Sequence, residues 1–171
     1  AAAGHTVDVV TSRMDAQPSG WEITEEAGAT VHWISVPYDN SMSSLRRIFS
    51  FLKFAILSSF RAAKLAKGAD VIIATSTPLT IALPAVFASW VRRVPMVFEV
   101  RDLWPEAAIQ TGFLKGALPI WMARQLEKFA YSNARRVIAL SPGMQAGVVE
   151  VSPKHSSTIT MIPNCSDLDR F

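Results

Sequence analysis

Val97-Phe-Glu-Val-Arg-Asp-Leu-Trp-Pro-Glu106 is the stretch from which the fold reads outward. Met96, Val97, Phe98 and Val100 make an apolar, β-branched run, the pattern of a buried strand. Glu99, Arg101, Asp102 and Glu106 sit in or just beyond its end, and Pro105 stops it and suits the first turn of a helix. Charge at the end of a buried strand is costly unless it is paired or used. In open α/β sheets the carboxyl end of a strand is also where ligands bind. Two readings stand: an Arg101–Asp102 or Arg101–Glu106 ion pair that fixes the loop, or a binding site.

Towards the C-terminus, Glu106 gives way to a short helix over Trp104–Gln110, ended by Gly112. A second helix is expected from Gly116 to Ala134, its stripe of Leu118, Trp121, Met122, Leu126, Phe129 and Ala130 read as core. Arg135–Leu140 is another buried strand. Ser141 then serves as N-cap and Pro142 as the first residue of a helix. Thr158–Ile162 is a last strand before a turn-rich tail.

Towards the N-terminus, Asp70–Ser76 reads as a continuous, buried parallel strand. Thr75-Ser-Thr-Pro-Leu-Thr80 leads from it into a helix reaching Arg93, and its hydroxyls either cap that helix or hold an anion. Further back, Thr6–Thr11 is a strand, while Trp21–Glu25 and Thr30–Val36 flank Gly28 as a hairpin or added edge. Gly4 suits the position just past a helix end, so the reading expects a first strand and helix before residue 1. Strand and helix alternate, which argues for an α/β fold with a parallel sheet.

Ser43–Lys67 is the longest helical run, closed by Gly68. Arg46, Arg47, Lys53, Arg61, Lys64 and Lys67 meet no acid in it and fall on one broad face, with Phe49, Phe54, Leu57 and Phe60 among them. Leu45, Ile48, Leu52, Ala55, Ile56 and Ala63 are expected to pack on the sheet. Basic groups interleaved with aromatics mark a helix lying on a membrane surface, whereas an ordinary crossover helix uses Lys and Arg stems to cover apolar surface.

The 171 residues, half of them hydrophobic, make one domain with a real core. A net charge of +3 admits an anionic partner without choosing one. Cys165 alone excludes an internal disulfide framework and fits a reducing compartment. His5, His32 and His155 lack ligand spacing, so no zinc site is expected. No run reaches the roughly 18 apolar residues of a membrane span, and no leader-like pattern is visible. No G-x-G-x-x-G follows a strand, which disfavours a dinucleotide oxidoreductase. The basic residues gather on one aromatic-bearing helix and no nucleic-acid module is present, so nucleic acid is not an expected partner.

Glu99-Val-Arg-Asp-Leu-Trp-Pro-Glu106, followed in order by Ala139-Leu-Ser-Pro-Gly-Met144 and Ile162-Pro-Asn164, resembles bacterial family-four retaining glycosyltransferases, enzymes of two Rossmann-like halves called GT-B. Gly4-His5, Leu45–Phe54 and Ala74-Thr-Ser-Thr-Pro78 extend the likeness over most of the chain. It is closest to the N-acetylfucosaminyltransferase-like subgroup acting in O-antigen, capsule and exopolysaccharide synthesis. The resemblance implies an N-terminal, acceptor-side Rossmann-like domain over residues 1–163, with helices on both faces of a parallel sheet whose first strand lies before residue 1. Residues 164–171 would be the interdomain linker.

The resemblance also implies an activity: transfer of a sugar from a nucleotide-sugar to a membrane-lipid-linked glycan, with retention, at the cytoplasmic face of the cell membrane. The family's paired glutamates and most nucleotide contacts belong to the other half, so these residues alone are expected to be inactive. No metal or other cofactor is expected, and Asp167 and Asp169 read as turn formers. Many relatives carry a histidine where this sequence has Arg101-Asp102, so that histidine's role does not transfer. Asp102 becomes the candidate for touching the acceptor hydroxyl or the sugar, with Arg101 and Glu106 in support. Thr75, Ser76, Ser141 and Asn164 are candidate substrate contacts, although Cys165 replaces the glycine that usually follows Pro-Asn. Arg46, Arg47, Lys53, Phe54 and Arg61 are the candidate membrane-surface residues. The alternative is a truncated, non-catalytic module that binds membrane or a partner.

Overall fold

The computed structural model describes residues 4–13, 20–39, 42–76 and 78–165. Ala1–Ala3 and the Asp167–Asp169 pair therefore lie outside the described residues, as does most of the expected linker.

Among the described residues, seven strands form two sheets. β1 (Asp8–Arg13), β2 (Trp21–Glu26) and β3 (Ala29–Ser35) lie in the order β1-β3-β2, with β1 parallel and β2 antiparallel to β3. Ala27 and Gly28 join β2 to β3, both at positive φ. A two-residue hairpin whose twist matches its strands needs that conformation, and glycine adopts it without strain. β4 (Ile72–Thr75), β5 (Met96–Val100), β6 (Arg136–Ala139) and β7 (Ile159–Met161) form an all-parallel sheet in chain order. Among the described residues, β1 and β4 each pair on one side only.

Among the described residues the α-helices are α1 (Ser44–Leu65), α2 (Ala82–Arg92), α3 (Glu106–Gln110), α4 (Ala117–Asn133) and α5 (Pro142–Val151). Burial alternates along β5. Met96, Phe98 and Val100 are sealed in a core shared with Val86 of α2, Tyr131 of α4 and Val148 of α5, whereas Val97 and Glu99 are half-buried. The Phe98 and Tyr131 rings meet edge to face, 6.1 Å between centroids. Burying a side chain such as Phe98 contributes about 1.5–3 kcal/mol.

Three expectations about burial need correction. Among the described residues β4 pairs on one side only, and Ile73 is 66% exposed. On α1, the inward face is made of small residues: Ala55, Ser58, Ala63 and Ala66 are buried, and Ala63 and Ala66 meet Ala88 of α2. Close approach is sealed by Arg92, whose Nε donates to the Ala63 carbonyl at 2.6 Å. Leu45, Ile48, Leu52 and Ile56, expected to pack on the sheet, are exposed instead. On α4 the apolar stripe divides: Ala130 is buried and Leu126 and Phe129 are half-buried, but Leu118, Trp121 and Met122 face outward.

His32 ties the first sheet to α1. It is buried, and its Nδ1 accepts from Arg61 Nη2 at 2.7 Å. A guanidinium only donates, so the ring proton sits on Nε2, which donates to Asp8 Oδ1 at 2.8 Å.

Candidate functional site

Strand register sets the site. Thr75 pairs with Glu99, Val100 with Ala139, and Ala139 with Met161, so the carboxyl ends of β4 to β7 finish along one edge. The residues around those ends line one open cavity of about 390 Å³: Thr75 at the end of β4 with Ser76 next to it, Arg101 and Asp102 just past β5, Leu140 just past β6 and Asn164 beyond β7. Five predicted site residues thus converge from three separate places in the chain. Leu140 was not foreseen; only its position one residue past β6 marks it.

Ser76 holds this edge together. Its Oγ accepts the Arg101 backbone N–H at 3.0 Å, and its own N–H donates to the Glu99 carbonyl at 2.9 Å. A 3-10 turn over Leu79–Ile81 precedes α2, and Pro78 heads it without a side-chain cap; Thr77 lies outside the described residues. Arg101 and Asp102 are exposed, directed by a loop anchored at both ends. The Trp104 N–H donates to the Asp102 carbonyl, and the Ala107 N–H to the Leu103 carbonyl, each at 2.9 Å. Leu103 packs over Gly147 of α5, where a Cβ would stand 2.9 Å from Leu103 Cδ1. Glycine at 147 is what lets the loop lie that close.

Two predicted site residues stand apart. Glu106 pairs with Arg124 at 3.7 Å on the surface rather than with Arg101. Ser141 caps α5, its Oγ accepting the Met144 N–H at 3.2 Å, and it is Leu140 that faces the cavity. The candidate membrane residues also divide. Arg46 and Lys53 are exposed, and Phe54 is half-buried. Arg47 lies over the Phe113 ring at 4.4 Å, and Arg61 is engaged with His32 and Trp21. The outward face of α1 is instead a stripe of Leu45, Phe49, Ile56 and Phe60.

An ionisable pair outside the cavity escaped the sequence reading. Glu127 is buried, and burial raises its carboxyl pKa to about 7 despite a hydrogen bond from Tyr131 Oη at 3.1 Å. The same burial, with the neighbouring carboxylate, pushes the Tyr131 phenol up. Among the described residues, no group of three or more His, Cys, Asp or Glu side chains is arranged to hold a metal. No described helix is long and apolar enough to cross a membrane.

Beside the polar cavity lies a smaller, almost wholly apolar one of about 150 Å³. It is enclosed by Ile48, Phe51 and Leu52 of α1, Pro78–Thr80, Trp104, Phe113 and Leu114, and Ala123 and Leu126 of α4.

No curated protein matches this sequence. Among solved structures, Anabaena Alr3699/HepE in complex with UDP and glucose is similar, with a TM-score of 0.54 and 17% identity over 95% of this chain and 46% of that one. The same protein in complex with UDP-glucose aligns with a TM-score of 0.51 and 18% identity, over 95% and 45%. At that identity the likeness is one of fold, and the chain spans less than half the length of these structures. The profile of the Glycosyl transferase 4-like domain matches residues 1–165, nearly all of the sequence. The parallel sheet with its helices and that match agree, and the chain belongs to the Glycosyl transferase 4-like domain family.

Proposed function

We propose that this domain is the acceptor-side half of a retaining glycosyltransferase of the N-acetylfucosaminyltransferase-like subgroup. It helps move a sugar from a nucleotide-sugar to a membrane-lipid-linked glycan during cell-surface polysaccharide synthesis, at the cytoplasmic face of the membrane. The observation that carries this reading is the meeting of Thr75, Ser76, Arg101, Asp102 and Asn164 around one cavity at the carboxyl edge of the sheet. The UDP and glucose held by the structurally similar HepE add support. In this reading Asp102 accepts a hydrogen bond from the acceptor hydroxyl or the transferred sugar. Arg101 offsets phosphate charge, and Thr75 and Asn164 donate or accept at the sugar's rim. Ser76 orders the loop that presents the charged pair. The donor nucleotide is held mainly by a second half, and no metal or further cofactor takes part.

Backbone amide shifts test the site. With a donor-binding half supplied, titration with UDP-glucose, set against UDP alone, shifts Thr75, Arg101, Asp102 and Asn164 through the sugar, and Asp102→Asn removes the difference. Shifts scattered away from these residues refute the assignment. A second reading, a non-catalytic module that docks on membrane, is favoured by the exposed apolar stripe of α1. It gains if anionic vesicles float with the protein while no sugar is transferred even when a donor-binding half is supplied.

A further inference from the structure

We propose that the apolar cavity between α1, α4 and the segment after β5 seats the first apolar segment of a phosphate-bearing lipid, with Arg47 meeting the phosphate. This rests on the lipid-linked acceptor reading above and names the place where that lipid enters.

Four observations carry it. First, the wall is nearly all hydrocarbon, and the volume is about 150 Å³. A hydrocarbon-lined recess of about that size suits a branched apolar segment better than water, which finds no polar partners there. Second, the cavity adjoins the polar site along two separate stretches of chain. Pro78 follows Ser76 by two residues and Trp104 follows Asp102 by two, so one amphipathic molecule can address both.

Third, the cavity leads outward. Ile48 and Leu52 line it yet remain 46% and 41% exposed, and they continue the surface stripe of Phe49 and Ile56. A chain leaving the cavity therefore stays on apolar surface. Fourth, the charge selects the head group. Arg47 is half-buried and lies over Phe113, itself part of the wall, which holds its guanidinium against the apolar lining. A guanidinium is a planar fork of N–H donors that matches phosphate oxygens. The first turn of α1 holds no acid, and Arg46 and Lys53 are exposed nearby. Both features favour an anionic lipid over a neutral one.

The test is calorimetric titration of the 171-residue protein with farnesyl phosphate, farnesol and inorganic phosphate. Farnesyl phosphate is expected to bind more tightly than the other two. Ala123→Phe fills the cavity and weakens it about tenfold or more, the equivalent of one aliphatic side chain's burial. Arg47→Gln weakens farnesyl phosphate but leaves farnesol unchanged. In the wild type, needing no variant, the methyl signals of Leu52 and Leu126 shift with farnesyl phosphate and not with inorganic phosphate. Unmoved methyl signals, or unchanged affinity in a folded Ala123→Phe protein, overturn the proposal. So does inorganic phosphate binding as tightly as farnesyl phosphate, which makes the ligand a free anion. Ala123→Phe leaves vesicle flotation intact, because the surface stripe is untouched, and joint loss of both overturns a dedicated cavity. These are binding measurements, so failure of sugar transfer with farnesyl phosphate binding retained removes the glycosyltransfer reading and leaves the lipid seat standing.

Discussion

Ser76→Ala separates a residue that holds the site from one that touches substrate. Ser76 is 2% exposed, and its Oγ is the acceptor for the Arg101 N–H at 3.0 Å. Alanine fits the space but leaves that N–H without its acceptor at the turn out of β5. An unmet backbone donor in such a place costs about 1–3 kcal/mol. Taking about 2 kcal/mol, a domain of this size loses about 4–8 °C of melting temperature. In urea the midpoint falls while the slope holds, since the surface exposed on unfolding is unchanged. Thr75→Ala is the control: this exposed neighbour, with no side-chain bond to lose, shifts stability by less than about 0.5 kcal/mol. The amide signals of Arg101 and Asp102 broaden or move in Ser76→Ala and stay put in Thr75→Ala. If Ser76→Ala melts within about 1 °C of wild type while its response to UDP-glucose, with a donor-binding half supplied, disappears, Ser76 contacts ligand directly and the positioning argument is refuted.

Glu127 has a raised native pKa, so its contribution to stability is complete below about 4.5 and is lost as pH climbs through about 7. Glu127→Gln should therefore match wild type near pH 5 and exceed it near pH 8 by up to about 3 kcal/mol; parallel stability–pH profiles from denaturant titration sink this. Gly147→Ala gains about 1 kcal/mol of helix propensity but drives a Cβ into Leu103, so no net gain and displaced Asp102 and Leu103 amide signals are expected. A full gain in stability with those signals unmoved contradicts the packing. Phe49→Glu with Ile56→Glu should abolish flotation on anionic vesicles without changing the melt, since both side chains are outward. Arg61→Ala should do the reverse, lowering stability by about 1–3 kcal/mol through loss of its bond to buried His32 and leaving flotation intact.

Much of this architecture is legible in the chain because its signals are local. An apolar, β-branched run marks β5, Ser141-Pro142 announces the start of α5, and Gly68 and Gly112 mark where helices end. Parallel pairing then aligns the strand ends, and that alignment is why residues as distant in sequence as Thr75 and Asn164 share a cavity. The polar types at those ends were readable; their division of labour was not. Ser76 turns inward to the Arg101 amide, and Glu106 goes to Arg124.

The choice of helix face belongs to tertiary structure alone. Periodicity identifies a helix and assigns its large apolar residues to the core, but α1 meets α2 through alanines, because shape rather than hydrophobic bulk decides how closely two helices approach. That contact turns Leu45, Phe49, Ile56 and Phe60 outward and draws Arg47 and Arg61 in. The buried Glu127–Tyr131 pair and the apolar cavity depend equally on which neighbours happen to pack beside them. By itself, the sequence determined the elements, their order and the chemistry at the strand ends. Packing between elements distant in the chain decided which of those side chains face one another, which face solvent, and where the apolar surface lies.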